Sequence, residues 1–299
     1  MLDTKIVSLL TLIDCGSYTK AARQLHLTQP AISHQIKQLE EEFQIKIFHR
    51  SKKSLILTPE GEILVKYAHR MTAVYNNTHQ ALEDARNHLH RFNIATTPTA
   101  GEYYIPQLLA AYCREHSDVH INLITDSINN IYNKLKLYEA DFAIIDGRLT
   151  SDKYHSILLD TDYLCLIVSP QHPLANRSSV SMNELLEESF ILRSKEAGTR
   201  EIFESYLESQ RDSIRNYRIL IETDSLATIK ELVMSNMGVS IMSHNACRED
   251  EQKGRLKTIP ITNSTMIREI NLVYPKDFQH VDVLLELKKT YSSCTKANI

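Results

Sequence analysis

At 299 residues the chain is long enough for more than one domain. Its composition, 42% hydrophobic and 24% charged, is that of a globular protein and excludes a disordered or fibrous one, and its longest apolar runs are too short to span a bilayer. The net charge of −3 argues against nucleic acid only as an average: residues 1–58 hold eight basic side chains against five acidic ones, a local excess of +3 that leaves −6 for the rest. A basic head on an acidic body suits a DNA reader joined to something else.

Ile6, Leu9, Leu10 and Ile13 predict a first amphipathic helix ending near Gly16. Ser17 is expected to cap a second helix, with Tyr18, Ala21, Ala22 and Leu25 facing inward. The small pair Ala21-Ala22 allows close approach of a third helix. That helix opens at Thr28-Gln29-Pro30, with Thr28 as N-cap and Pro30 in the first turn, where amides lack an intrahelical partner anyway. Ala31/Ile32, Ile36, Leu39 and Phe43 bury one face. The other carries Gln29, Ser33, His34 and Lys37, whose types and reach suit base edges and phosphates. The two form a helix-turn-helix with the recognition helix second. Ser17, Thr28 and Pro30, at the helix starts, complete the candidate DNA contacts of this motif.

The stretch Phe48–Thr58 has apolar ends and a basic centre, the pattern of a short hairpin or wing. Arg50, Lys52 and Lys53 near its tip can reach phosphates or a narrow minor groove. Alone it would read as a solvated charged turn; beside a recognition helix the DNA reading is favoured. Thr58-Pro59-Glu60 starts a long helix, and residues 62–96 contain no proline or glycine. Leu64, Ala68, Met71, Tyr75, Thr78, Leu82, Ala85 and Leu89 alternate steps of four and three, a heptad seam predicting that residues 59–89 dimerise. His88 and His90, two apart on different faces and without a third ligand, are not read as a metal site.

From Phe92 strands and helices alternate, which argues a parallel α/β sheet. Strands are expected at 92–96, 119–124, 141–145, 157–159, 163–168, 190–193, 219–221, 239–242 and 267–274. Helices are expected at 104–114, 128–138, 199–209, 225–236 and 281–291, with a capping box at Ser181–Glu184. Thr99, Ser127 and Ser225 stand at strand-to-helix junctions and Thr199 at a fourth helix start. Such junctions sit at the carboxyl ends of parallel strands, where ligands bind and helix N-termini favour anions. Arg193 and Arg200 flank one of them and could clamp a carboxylate, phosphate or sulfur oxyanion; the plainer reading of each hydroxyl is ordinary N-capping. Asp160 and Asp162 show no partner, and no P-loop, G-x-G-x-x-G, H-E-x-x-H or G-x-S-x-G pattern suggests catalysis. The cysteines Cys15, Cys113, Cys165, Cys247 and Cys294 are dispersed and read as small buried hydrophobes; without a signal peptide, they point to a reducing cytoplasm.

Gly16-Ser17-Tyr18, Ala21-Ala22, Leu25, Thr28–Ser33, Ile36, Leu39-Glu40, Phe48-His49-Arg50 and Leu57–Gly61 together resemble the LysR-type transcriptional regulators, though Phe43-Gln44 stand where that family usually has leucine and glycine. The resemblance spans essentially the whole chain. It implies α/β architecture with an all-α winged helix-turn-helix head (1–58), a linker and dimerisation helix (59–89), and an effector-binding domain (90–299). That domain is expected to be like a type 2 periplasmic binding protein, with lobe I at 92–161 and 267–299, lobe II at 162–266, and a cleft between them. Thr99–Tyr103 with Pro106, and Glu196–Arg200, are similar to the subgroup that includes regulators of cysteine synthesis and carbon fixation. Carried over by position, the effector candidates are Thr97, Pro98, Thr99, Ser127, Asp146, Thr199 and Ser225, beside Arg193 and Arg200. The expected protein is a cytoplasmic regulator of promoter binding, modulated by a small, anionic effector and needing no cofactor or metal. Its expected partners are double-stranded promoter DNA, a second copy of itself, and a tetramer of such copies, with RNA polymerase a further candidate and no membrane. The competing readings are an enzyme with an appended DNA-binding head and a regulator without a ligand.

Overall fold

The computed structural model describes residues 2–49, 55–87, 89–147 and 151–296. The chain forms two compact units, Met1–Arg91 with Lys136–Glu139, and Phe92–Leu135 with Ala140–Ile299.

In the first unit, α1 (Thr4–Cys15) begins where the Asp3 side chain accepts from the Lys5 N–H at 2.8 Å, and ends at Gly16, whose φ of 62° is left-handed. Ser17 does stand at the N-cap of α2 (Tyr18–Gln24), but its hydroxyl makes no capping bond. The turn is held by backbone instead, the Ala21 N–H donating to the Ser17 carbonyl at 2.9 Å. Thr28 caps α3 (Gln29–Phe43) as its type predicts, Oγ1 accepting from the Ala31 N–H at 3.3 Å. α3 ends on Gln44 in the left-handed region, φ 53°, where a glycine would carry no Cβ penalty.

Leu9, Leu12, Ile32, Ile36 and Leu39 form the core of this unit together with Ile47, Leu64, Val65 and Ala68. The last three belong to α4 (Pro59–Asn87). The predicted heptad seam is therefore corrected in its first heptad. At 3.6 residues per turn the opening turns of α4 face the head, so Leu64 and Ala68 are buried there. Leu89, at the other end, lies beyond the helix. The exposed apolar stripe starts instead at Ile63 and Tyr67 and continues through Met71, Val74 and Leu82.

Two contacts fix where α4 leaves the head. The Thr58 hydroxyl donates to the Lys46 carbonyl and accepts from the Gly61 N–H at 2.9 Å. A Cβ on Gly61 would sit 2.2 Å from the Ile47 carbonyl oxygen, so only glycine allows that approach. Phe48 and Leu57 pair antiparallel, and the His49 N–H donates to the Ile56 carbonyl at 2.8 Å, giving the base of the wing. Arg50, Lys52 and Lys53, and His88 further on, lie outside the described residues.

The second unit takes up β1 (His90–Thr96), α5 (Pro98–Tyr103), α6 (Ile105–Glu115), β2 (Val119–Thr125), α7 (Ile128–Lys136) and β3 (Phe142–Asp146). Then come β4 (Tyr154–Val168), β5 (Ser189–Leu192), α8 (Gly198–Ser209), β6 (Arg218–Glu222) and α9 (Leu226–Met234). β7 (Ser240–Ser243), α10 (His244–Gln252), β8 (Lys257–Ile259), β9 (Ile267–Pro275) and α11 (Val281–Lys296) close it. The strand order is β2-β1-β3-β9-β4-β7, with β8 on β4 and a separate β5–β6 pair.

The expectation of a parallel sheet is corrected to a mixed one. β1 and β3, and β5 and β6, are parallel, whereas β9 runs antiparallel to both β3 and β4. The two strands expected at 157–159 and 163–168 are one strand of 15 residues, interrupted by a register shift between Leu158 and Asp160 that breaks the pattern in the sequence. That strand passes from one half of the unit to the other, pairing with β9 as far as Tyr163 and with β7 and β8 from Leu164 onward. Two apolar cores flank the passage, one around Phe92, Ile94, Tyr112 and Phe142, the other around Leu166, Phe190, Phe203 and Ile241.

Cys165 and Cys247 are buried, as small hydrophobes should be, but Cys113 is exposed and Cys15 and Cys294 are half-buried, so that reading holds for two of the five. Among the described residues no helix is long and apolar enough to cross a membrane.

Candidate functional site

Three of the predicted effector residues, Thr97, Asp146 and Thr199, are bonded into one cluster within the second unit. Thr97, at the start of α5, does not cap that helix; its hydroxyl donates to the Asp146 carboxylate and accepts from the Asp146 N–H at 3.1 Å. Asp146, at the end of β3, also accepts from Arg268 Nη1, which reaches Thr199 Oγ1 at 3.3 Å. Gly198, the first residue of α8, stands within van der Waals reach of Asp146: a Cβ there would be 3.9 Å from its carbonyl oxygen. Pro98 lies in the first turn of α5, and Thr99 beside it is buried.

Arg268 is the centre of this cluster, and sequence reasoning missed it. It stands directly opposite Asp162 in the β4–β9 ladder, and its Nη2 donates to that carboxylate at 3.4 Å. Asp162 also accepts from the Tyr104 hydroxyl at 2.7 Å, from the Ser243 hydroxyl, and from the Asn245 N–H at 3.4 Å. Burial by itself would lower the Arg268 pKa, but Asp146, Tyr104 and Asp162 more than offset this and raise it. The Tyr104 hydroxyl is pushed up, first by burial and then by the Asp162 charge. A signal for both charges was present in the alternation of the strands. Arg268 shares parity with Ile270 and Leu272, and Asp162 with Leu164 and Leu166, which puts opposite charges on buried faces. Asp160 is partnered too, accepting from the Tyr291 hydroxyl at 2.8 Å.

The two predicted arginines differ. Arg200 is 2% exposed, and its Nε and Nη1 are taken, by Glu204, by Glu222 at 3.0 Å and by the Arg193 carbonyl at 3.2 Å. These bonds fasten the start of α8 to β6 and to the end of β5. Arg193, at the end of β5, is 5% exposed, and its Nε–H has no hydrogen-bond partner. Burial lowers its pKa, against the opposing pull of Asp224, Asp146 and Glu102. Ala197 at the N-cap of α8 supplies no side-chain cap; the Arg200 N–H donates to its carbonyl at 2.8 Å, which leaves the N–H groups of Gly198 and Thr199 without a capping partner.

Ser127 and Ser225 keep to ordinary capping. Ser127 Oγ accepts from the Asn130 N–H at 3.4 Å, and Ser225, exposed, accepts from the Thr228 N–H at 3.2 Å. Neither is bonded into the cluster. A cavity of about 740 Å³, lined by Tyr103, Asp160, Lys230, Arg248 and Tyr291, shares Tyr104 and Asn245 with it.

On α3, Gln29 Nε2 donates to Ser33 Oγ at 2.9 Å, so the two polar side chains are aligned on one exposed face, and His34 is exposed beside them. Lys37 is exposed and pairs with Glu41 at 3.3 Å, a surface contact weak enough to exchange for a phosphate.

A helix-turn-helix with a wing base, joined by a long helix to a two-lobed α/β domain, defines a ligand-responsive DNA-binding regulator. Residues 4–62 match the bacterial regulatory helix-turn-helix protein, lysR family, and residues 85–287 match the LysR substrate binding domain. The chain therefore belongs to the LysR family of transcriptional regulators and is not an enzyme. It is similar to the HTH-type transcriptional regulator CysL of Bacillus subtilis, 29% identical over 269 residues that cover 89% of this chain and 88% of that one. The full-length CbnR structure complexed with its target DNA superposes with a TM-score of 0.71 at 14% identity, covering 97% of this chain and 99% of that one. The regulatory domain of CcmR from Synechocystis PCC6803, in complex with 2-PG, gives a TM-score of 0.61 at 21% identity, over 68% of this chain and 97% of that one.

Proposed function

We propose that this regulator is cytoplasmic and that its promoter binding changes when the anionic group of a small effector enters the junction between the lobes, at Arg193 and the N-terminus of α8. The observation that carries this reading is the Arg193 guanidinium, 5% exposed with an unpartnered Nε–H. A buried donor without a partner costs free energy, and an oxyanion held by it and by the free N–H groups of a helix start would remove that cost. Thr97, Pro98, Thr99, Asp146 and Thr199 shape the same place, while Ser127 and Ser225 stand at its margins. The complex of the CcmR domain with 2-PG supports a small ligand on this fold.

In this reading residues 1–58 touch DNA, 59–89 dimerise and 90–299 respond to the effector, in lobes 92–161 with 267–299 and 162–266. Gln29, Ser33 and His34 face base edges. Ser17, Thr28 and Pro30 set the two helix starts against the backbone, and Lys37 with Arg50, Lys52 and Lys53 supplies phosphate contacts. The stripe of Ile63, Tyr67, Met71, Val74 and Leu82 is the dimer surface, effector domains pair the dimers into a tetramer, and lobe closure alters the spacing of the paired heads. RNA polymerase is the partner that would read the change.

A salt titration of promoter binding by fluorescence anisotropy tests the DNA roles. Lys37→Ala should weaken binding to all sequences and reduce the slope of log K against log salt by about 1. A slope equal to wild type removes Lys37 from the interface. Arg193→Gln should keep wild-type affinity for DNA and lose the response to effector.

A further inference from the structure

The charges buried at the junction already balance without a ligand. Arg193 and Arg268 stand against Asp146 and Asp162, at 5%, 3%, 7% and 4% exposure. One guanidinium, that of Arg268, serves both carboxylates, which leaves one negative charge in excess. Arg193 offsets that excess through space, since its Nε–H bonds to nothing. Arg200 adds no spare positive charge, being met by Glu204 and Glu222. More carboxylate lies in reach of the field at Arg193: Asp224, whose side chain accepts from the Ser194 hydroxyl, and Glu102, exposed on α5.

A ligand entering this place as a net anion would bring an uncompensated charge into a low-dielectric site ringed by carboxylates, and burying such a charge is what proteins avoid. A ligand that brings both signs would not. We infer that the cleft takes a net-neutral, dipolar ligand of the α-amino acid class. Its carboxylate lies on Arg193 and the N–H groups at the start of α8, and its ammonium faces Asp146 and the carboxylates beside it. Asp146 is then the specificity determinant. Arg268 Nη1 touches both Asp146 and Thr199, so the acid stands next to the helix start that holds the ligand's carboxylate. Each of its oxygens has a lone pair left after Thr97 and Arg268 are served. This inference rests on the anionic-group reading above and narrows it.

The test is isothermal titration of the full-length protein with the twenty standard amino acids one at a time, with the α-hydroxy acid counterpart of each that binds, and with inorganic sulfate and phosphate. The expected result is at least one amino acid that binds, with its hydroxy acid and both inorganic anions at least tenfold weaker, and with binding lost in Arg193→Gln. Asp146→Asn should raise sulfate affinity relative to the amino acid at least tenfold. Should that variant fold poorly, Asp224→Asn, at an exposed position, should shift the ratio in the same direction. If the hydroxy acid or sulfate binds as tightly as the amino acid and still depends on Arg193, the dipolar inference is overturned and the anionic-group reading stands. Binding that ignores Arg193→Gln, or no binding by any probe, overturns both.

Discussion

The two units of this chain handle charge in opposite ways. The head keeps its candidate DNA-contacting side chains at the surface: His34 and Lys37 are exposed, and the ion pair of Lys37 with Glu41 is open to water. The second unit buries them: Asp146, Asp162, Arg193 and Arg268 all lie under 8% exposure. A surface charge is weakly held and free to move to a phosphate, at a strength that salt tunes. A buried charge is held by geometry, tolerates few partners, and responds to a ligand that alters the balance. The difference suits the two tasks, one of scanning a polyanion and one of selecting a small molecule.

The sharpest way to break this comparison is to remove the central buried charge. Arg268→Met leaves Asp146 and Asp162 without their cation and should destabilise the second unit by about 3–5 kcal/mol in chemical unfolding. An unchanged midpoint would mean that the cluster does not hold the lobes. Next in size is Gly61→Ala, whose Cβ would meet the Ile47 carbonyl oxygen at 2.2 Å. It should cost the head about 1–3 kcal/mol and weaken DNA binding with it, while leaving the second unit's transition in place.

A pH series sharpens the contrast further. Burial would raise the pKa of Asp250, but Lys230, paired with it at 2.7 Å, and Arg255 hold it below the ordinary carboxylate value. A depressed carboxylate stabilises the fold above its unfolded pKa of about 4 and loses that contribution as pH falls through the folded value. Asp250→Asn should therefore be less stable than wild type at neutral pH, with the gap closing in acid thermal melts below about pH 4. A gap that is constant with pH would contradict the assignment. The smallest effect expected is a gain: Gln44→Gly relieves the left-handed backbone at φ 53° and should add about 1 kcal/mol to the head, offset in part by glycine's larger chain entropy. No gain would show that the turn after α3 is relaxed as it stands.

The same contrast explains what the sequence disclosed. The head was legible because its logic is local: Thr28, Pro30 and the spacing of Ile32, Ile36 and Leu39 announce a helix and its buried face within a dozen residues. The heptad on α4 was legible in period but not in phase, because burial of Leu64 and Ala68 depends on where the head lies against the helix. In the second unit most strands and helices showed in the pattern, but α5, β8 and, above all, α10 did not. Its HNACREDEQ sequence carries few apolar residues, and only Ala246, Cys247 and Asp250 are buried. Thr97, Asp146, Arg193 and Thr199 were named from sequence, the first two by family resemblance. Arg268 was not, since the carboxylates it serves lie 122 and 106 residues away along the chain. A charge on the apolar face of a strand is the one local sign such a cluster leaves.

The most direct measurement of the central claim is a footprint of the regulator on its own promoter region, with and without each amino acid that binds, for wild type and Arg193→Gln. The account predicts that ligand alters the protected pattern of wild type and leaves that of Arg193→Gln unchanged, with both proteins binding equally well in its absence. A pattern in wild type that no bound ligand alters, or one that shifts equally in the variant, would contradict it.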